Sequence, residues 1–463
     1  MKSLLVAFAA LSCFAQTIDR TKPPETPPLQ PYKLPAAKET TLANGLTVLT
    51  VNDPRFPLVT LRLAFRAGDR FDPAKKHGLG ETMMELLKAG TAKRNARQLA
   101  EELATVGAEI NTASAPDSFT ISGNVLSDYF AKLLELTADV ARNATFPQEE
   151  LDLRKANRVE ELKLQLSSSD TVASQKLYNV VFGAHPYSSM LPTPESIASI
   201  TREDLTAHRN KLLSPQGAVL IVVGAIPAEA KTLALIKQYF GDWKGEAIPP
   251  APTGKLPESA RSITVVDRPG SAQVDIAMGH LSPIRTNQEY FPLIVASSVL
   301  GGGASSRLFN NVREKQGFAY SVYSHNTPYR DSSLFRVTTQ VRDEVLAPAV
   351  KSIFSEMERM ASEPVPAAEL SATKNYMNGN FVMGMTTQNG VASQLANVKV
   401  NNLPADYLET FVTRIRSVEP DQIRAIAKKY MNPADTTIVM VGDAAKIKKA
   451  AESIGPVTVE KAQ

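Results

Sequence analysis

The pattern of hydrophobic and polar positions along this 463-residue chain changes period several times, and the changes come in the same order twice. Alternating apolar and polar residues predict strands at 46–50 and 58–65, and again at 263–266 and 274–278. The 149–166 stretch instead carries Leu151, Val159, Leu162 and Leu166 at helical spacing. Ile423, Ile426 and Ala427 do the same for 421–430. Apolar runs at 218–223 and 437–441 read as closing strands. Strands first, then helices, then a returning strand argue an α+β domain built on a largely antiparallel sheet.

Identical residues recur in register with this pattern. Val172-Ala173-Ser174-Gln175 returns 219 residues later as Val391-Ala392-Ser393-Gln394, and Lys155 returns as Lys374 at the same offset. Pro215 stands nine residues before Gly224, and Pro433 stands nine before Gly442. Several matches at offsets of 218 and 219 residues imply a tandem duplication of a domain of about two hundred residues. Proline marks the boundaries. Residues 20–36 are proline-rich and read as an extended tether, and Ile248-Pro249-Pro250-Ala251-Pro252 interrupts any helix or central strand. The expected organisation is a leader at 1–15, a tether at 16–38, a first copy at 39–244, a linker at 245–258, a second copy at 259–454 and a tail at 455–463.

Composition narrows the picture. An apolar content of 43% with 21% charged residues is that of an ordinary soluble globular chain, too long for one core. The net charge of +4 is spread without a basic run, which argues against a nucleic-acid partner. Met1-Lys2-Ser3 followed by apolar residues up to Ala15 has the form of a secretory signal, too short to span a membrane. The expected location is therefore outside the cytoplasm, in a bacterial periplasm or associated with the envelope, with no transmembrane segment in the mature chain. Cys13 is the one cysteine, and cleavage after Ala15 removes it; lipidation at Cys13 stays open.

Candidate chemistry gathers at residues 78–91, Gly-Leu-Gly-Glu-Thr-Met-Met-Glu-Leu-Leu-Lys-Ala-Gly-Thr. The segment resembles the zinc-site helix of the pitrilysin/insulinase family of metallopeptidases, whose pattern reads Gly-Leu-Ala-His-Phe-Leu-Glu-His and ends in Gly-Thr. In that motif two histidines four apart share a helix face and chelate zinc, and the glutamate between them activates a zinc-bound water. Aligned without a gap, the histidine positions hold Glu81 and Glu85, and the general-base position holds Met84, which cannot take a proton. The family's third ligand, a glutamate on a later helix, corresponds to Glu161, 76 residues past Glu85. One ligand of three cannot hold zinc, so no metal is expected on this chain. Three carboxylates would instead suit a hard cation, with His77 as an added ligand, and that site is kept as an alternative. The other histidines (His185, His208, His280 and His325) form no ligand pair in the sequence.

The resemblance extends over nearly all of the mature chain. It includes Thr41-Leu42-Ala43-Asn44-Gly45-Leu46, Gly107-Ala108-Glu109-Ile110-Asn111 and His185-Pro186-Tyr187. It is tightest from Leu300-Gly301-Gly302-Gly303 through Val312-Arg313-Glu314-Lys315-Gln316-Gly317-Phe318-Ala319-Tyr320. There the resemblance implies that Arg313 and Tyr320 project into a partner's active chamber, bind the peptide backbone and steady the oxyanion. A permanent cation beside a phenol suits that task. Locally, 305–316 predicts an amphipathic helix ended by Gly317, followed by a strand over 318–323. The glycine run lacks the lysine and spacing of a nucleotide loop.

Short members of the family often work as pairs, one subunit carrying the complete zinc motif and the other the arginine–tyrosine pair. The leading expectation is thus the non-catalytic, substrate-positioning subunit of a heterodimeric zinc metallopeptidase. It binds no cofactor itself, its partner is a homologous zinc-bearing subunit, and peptides are the substrates. Two alternatives follow from the same residues: a pseudopeptidase acting as scaffold or peptide-binding module, and an active homodimer with a metal at Glu81, Glu85 and Glu161.

Overall fold

A computed structural model describes residues 36–461. The leader at 1–15, with Cys13, and almost all of the tether lie outside the described residues.

Two six-stranded sheets organise the chain. The first contains β1 (Lys38–Thr41), β2 (Thr47–Asn52), β3 (Leu58–Phe65), β4 (Glu109–Ala115), β5 (Ser118–Leu126) and β6 (Ala218–Gly224), in the order β1-β2-β6-β3-β5-β4. The second contains β7 (Ser262–Asp267), β8 (Val274–Ser282), β9 (Ala319–Pro328), β10 (Ser333–Val341), β11 (Thr437–Gly442) and β12 (Val457–Lys461), in the order β12-β7-β11-β8-β10-β9. Five strands of each sheet follow one plan. β2–β6 and β7–β11 are parallel, and the remaining shared pairings are antiparallel. The sheets differ at one edge, where β1 joins β2 antiparallel and β12 joins β7 parallel. The duplicated α+β architecture read from the sequence is the architecture of the chain.

The repeated residues do matching jobs in the two halves. Pro215 and Pro433 each open a 3₁₀ turn leading into β6 or β11, where a missing N–H and a fixed φ suit the first helical position. Lys155 donates to the carbonyls of Ala198 and Ile200, at 2.7 and 2.9 Å, at the C-terminal end of the helix Pro194–Ser199. Lys374 donates to the carbonyl of Arg416, at 2.9 Å, at the end of the helix Tyr407–Arg416. Both lysines meet the negative pole of a helix.

The repeated tetrapeptide lies on two helices that cross between the halves. Helix Ser169–Phe182 packs on β8 and β11 of the second sheet, and helix Gln388–Val400 packs on β3 and β6 of the first. Ala173 and Ala392 are fully buried, small enough to let each helix close on its sheet. With this cover on one face and its own helices on the other, β6 and β11 are buried at every position. That explains why both read as unbroken apolar runs. The main core of the first half gathers Phe65, Phe119, Phe130 and Phe146 with Leu61 and Leu63 of β3. A separate apolar cluster joins Leu177, Tyr178 and Phe182 of the crossing helix to Val439 and Val441 of β11.

Two segments depart from expectation. Residues 455–463, read as a tail, supply β12, because Val457–Lys461 finds the open edge of β7. The 305–316 helix is mostly a π-helix, Phe309–Lys315, whose wider turn the apolar spacing did not reveal. Gly317 ends it with φ of +63°, as its position predicted. Gly301 closes the helix Tyr290–Gly301 where a Cβ would run into the backbone nitrogen of Ser324 on β9. The start of the glycine run is thus a close packing contact between helix and strand.

Candidate functional site

Helix Leu79–Leu86 begins at Gly78, whose φ is +91°. Its first amides are capped by Asp72, which accepts from the N–H of Gly78 and of Gly80, both at 2.9 Å. Eight residues make two turns, and the two faces separate cleanly. Leu79, Met83, Met84 and Leu86 enter the core, while Glu81 and Glu85 share the outer face one turn apart. Met84 is 1% exposed and packed among apolar side chains, so the position of the family's general base has become a core position.

Helix Gln148–Ser167 lies beside it and contributes Arg154, Arg158 and Glu161. Arg158 donates from Nε to Oε2 of Glu81 at 3.0 Å and from Nη1 to Gln165 at 2.9 Å. Arg154 donates from Nη1 to Oε1 of Glu161 at 2.8 Å, pairs through Nε with Glu85, and lies 3.9 Å from Glu81 through Nη2. The structure therefore brings Glu81, Glu85 and Glu161 together, but around guanidinium groups. Burial pushes the Glu85 carboxyl above its ordinary range, with Arg154 pulling it down and Glu81 and Glu161 adding to the rise. Among the described residues no group of three His, Cys, Asp or Glu is arranged to hold a metal ion. The zinc that the family motif would hold does not fit here, since neither imidazole is present and a paired cation meets every carboxylate.

A cleft of about 570 Å³ opens beside this cluster, lined among others by Asp69, Glu81, Glu85, Ser114, Arg158 and Tyr187. One wall is β4, an edge strand of the first sheet whose outer side pairs with no described strand. Asp69 accepts a hydrogen bond from Ser114 of β4. Its carboxyl is pushed up to about 7 by burial and by the neighbouring Asp72 and Glu81, against the opposing bond from Ser114. At one end a buried polar group joins the halves. Arg70 donates to Asp117 and to the Tyr187 hydroxyl at 2.9 Å each, to the linker carbonyl of Pro252 at 2.9 Å, and to Asp331. Asp117 also accepts from the Arg330 backbone N–H at 2.8 Å. Tyr329 and Arg330, in the β9–β10 turn, thus reach the first half.

The histidines do not gather. His77 lines the cleft, and its carbonyl accepts from Ser196. His185 caps a 3₁₀ turn, His208 sits 3.4 Å from Asp72, His280 is buried beside β10, and His325 lies on β9.

Arg313 and Tyr320 are brought together in the second half. Arg313 stands on the π-helix and Tyr320 near the start of β9, the edge strand of the second sheet. The guanidinium carbon lies 4.9 Å from the Tyr320 ring centre and 4.5 Å from that of Phe309. Tyr320 is 83% exposed, the most exposed of the large hydrophobic side chains among the described residues. Neither residue lines the cleft beside Glu81. Arg313 is half-buried and its Nε lies 3.4 Å from the Glu314 carboxylate, while the Tyr320 phenol faces outward.

Arg154, Arg158 and Asp69 were not singled out from sequence. The signal for the arginines was present in their spacing: Arg154 and Arg158 stand four apart, and Arg154 stands two turns before Glu161. Asp69 carried no local signal, because its environment is made by β4 and the Leu79–Leu86 helix.

Comparison with known proteins agrees with this geometry. Residues 47–195 match the insulinase family (peptidase family M16), and residues 199–377 match the peptidase M16 inactive domain. An uncharacterized zinc protease of Mycobacterium tuberculosis is 25% identical over 414 residues, covering 88% of this chain and 94% of the relative. The crystal structure of a peptidase M16 inactive domain from Pseudomonas fluorescens is 26% identical, with a TM-score of 0.82, covering 88% of this chain and 98% of that one. A protease from Helicobacter pylori shares the fold with a TM-score of 0.82 at 22% identity, covering 89% of this chain and 100% of that one. The duplicated sheets, the motif helix and these matches across both halves agree: the chain belongs to the insulinase-like M16 peptidase family.

Proposed function

We propose that this chain is the non-catalytic, substrate-positioning subunit of a two-subunit zinc metallopeptidase that acts on peptides. The observation that carries the reading is a contrast between two places in one molecule. At the motif helix, the general-base position is a core methionine and the carboxylates at the ligand positions are already ion-paired. At the π-helix and the start of β9, Arg313 and Tyr320 remain stacked together, the arginine half-buried and the tyrosine turned outward. A chain that had abandoned proteolysis would gain nothing from an exposed tyrosine held under an arginine. A chain that lends those donors to another subunit's chamber needs exposure there.

In this reading the partner supplies zinc, the water-activating glutamate and the scissile-bond geometry. The present chain supplies positive charge and a hydroxyl donor where negative charge develops on the substrate carbonyl. The two subunits meet in the exported compartment to which the leader at 1–15 points. No helix among the described residues is long and apolar enough to cross a membrane.

The test is a peptidase assay of the isolated chain, of the zinc-bearing homologous subunit, and of the two mixed. Activity that needs both subunits, and falls with Arg313→Ala or Tyr320→Phe while the complex still forms, supports the proposal. Full activity of the mixture with both substitutions removes the assigned role.

A second reading rests on the cleft. β4 offers an unpaired strand edge along a cavity of about 570 Å³, a place where an extended peptide can add as a strand. A peptide-binding pseudopeptidase would use this edge without any partner. It separates from the first reading by binding peptide alone at β4 while leaving a partner's turnover unchanged.

A further inference from the structure

We propose that Arg154 and Arg158 are a built-in replacement for the metal ion: a guanidinium pair that braces the helices Leu79–Leu86 and Gln148–Ser167 against each other and bars divalent cations from the carboxylates between them. This inference does not depend on the partner reading above.

Two observations carry it. The first is connectivity. Both cations come from one helix, while the acids they hold come from two: Glu81 and Glu85 from Leu79–Leu86, Glu161 from Gln148–Ser167. A zinc ion in the family motif joins these same two helices, and here the cross-link is made by protein charge. The second is depth. The Arg158 side chain is 5% exposed and that of Arg154 14%, whereas the three carboxylates are between 33% and 49% exposed. The cations lie beneath the acids. Arg154 alone reaches all three, so an ion bound by all three must take its place.

Chemistry makes this exclusion permanent. A guanidinium stays protonated at any working pH, so no titration empties the position. Arg158 is also held by Gln165, which limits its freedom to swing aside. Without the arginines, the three carboxylates around the Arg154 position would be left unpaired and free to close on a hard divalent cation as an all-oxygen set. With them, an incoming ion meets two fixed positive charges at contact distance.

The experiment compares the full chain with an Arg154→Gln/Arg158→Gln variant. Thermal midpoints are recorded in chelator and in Mn²⁺, Ca²⁺ or Zn²⁺, and bound metal is counted after desalting. The wild-type midpoint is expected to be the same in all solutions, with no stoichiometric metal retained. The variant is expected to melt several degrees lower in chelator and to recover with a divalent ion, binding it ~100-fold or more tightly than wild type. A metal-dependent midpoint or stoichiometric metal in wild type overturns the exclusion. An unchanged midpoint for the variant in chelator overturns the brace. Should the double variant fail to fold, Arg154→Gln, which leaves Arg158 on Glu81, takes its place, and no metal response there overturns the exclusion too.

Discussion

The Nε of Arg158 lies 3.0 Å from Oε2 of Glu81, so the first zinc-ligand position of the family motif is held by a cation from the chain itself. The pair spans two helices and its arginine is almost wholly buried. Leaving Glu81 without that partner, beside a core that includes Met83 and Met84, is costly. Arg158→Ala is expected to destabilise the fold by about 2–3 kcal/mol. Glu160→Ala on the same helix removes only an exposed pair with Lys163 and is expected to change stability by less than ~0.5 kcal/mol. Denaturant unfolding of both variants checks this, and equal effects contradict it.

Arg313 and Tyr320 should behave in the opposite way. The tyrosine is exposed and the arginine packs on two ring faces at the surface, so neither carries much of the fold. Tyr320→Phe is expected to leave stability within ~0.5 kcal/mol, and Arg313→Ala to cost about 1 kcal/mol at most. Peptide turnover by the two-subunit complex is expected to fall ~100-fold or more for Arg313→Ala. Unchanged turnover, measured beside intact complex on a sizing column, would remove the pair from the reaction.

Asp69 gives the cleft a pH dependence. Its carboxyl holds a proton up to about 7 in the folded chain, whereas an unfolded aspartate releases its proton near 3.8. Between those values the folded state binds the extra proton, so stability falls as pH rises from about 4 to about 7 and then levels off. Asp69→Asn carries no such dependence. Its stability relative to wild type is expected to improve by about 2–4 kcal/mol between about pH 4 and pH 8. A difference that stays constant across that range contradicts the assignment.

The crossing helices offer a symmetric test. Ala173 and Ala392 are both fully buried where a helix of one half meets the sheet of the other. Replacing either with leucine forces extra volume into a closed contact and is expected to cost about 1–3 kcal/mol. The two costs should be close, because the repeated tetrapeptides occupy equivalent places. A large cost at one site and none at the other argues against equivalence.

Much of this was legible in the chain before any coordinates. The sequence pattern places β3 at its observed bounds, and the Gln148–Ser167 and Pro420–Tyr430 helices to within a residue at each end, because their apolar residues recur at the spacing of each element. The duplication was legible because Lys155 and Lys374, like Pro215 and Pro433, keep the same local job at a helix end or strand entry. The exchange of helices was not. Periodicity shows that a face is apolar but not which sheet covers it. The π-helix escaped for a related reason: the side chains of Leu308, Phe309 and Val312 fit an α-helical face equally well. At the motif helix, the loss of both histidines was plain, yet the arginines that fill the gap lie about seventy residues away. Their i, i+4 spacing puts Arg154 and Arg158 on one face, but does not say that the face turns inward to another helix.

In the proposed function, peptidase activity belongs to a pair, and this chain lends its arginine and tyrosine to a partner's zinc site. The most direct measurement isolates the tagged protein from its native cell envelope, identifies what copurifies in near-equal amount, and then counts zinc and assays peptide cleavage in each separated subunit and in the complex. The expected result is a partner with an intact His-x-x-Glu-His helix, zinc on that partner alone, and turnover that needs both chains and is lost with Arg313→Ala. Stoichiometric zinc on the isolated chain, or peptide cleavage by it without a partner, would contradict the account.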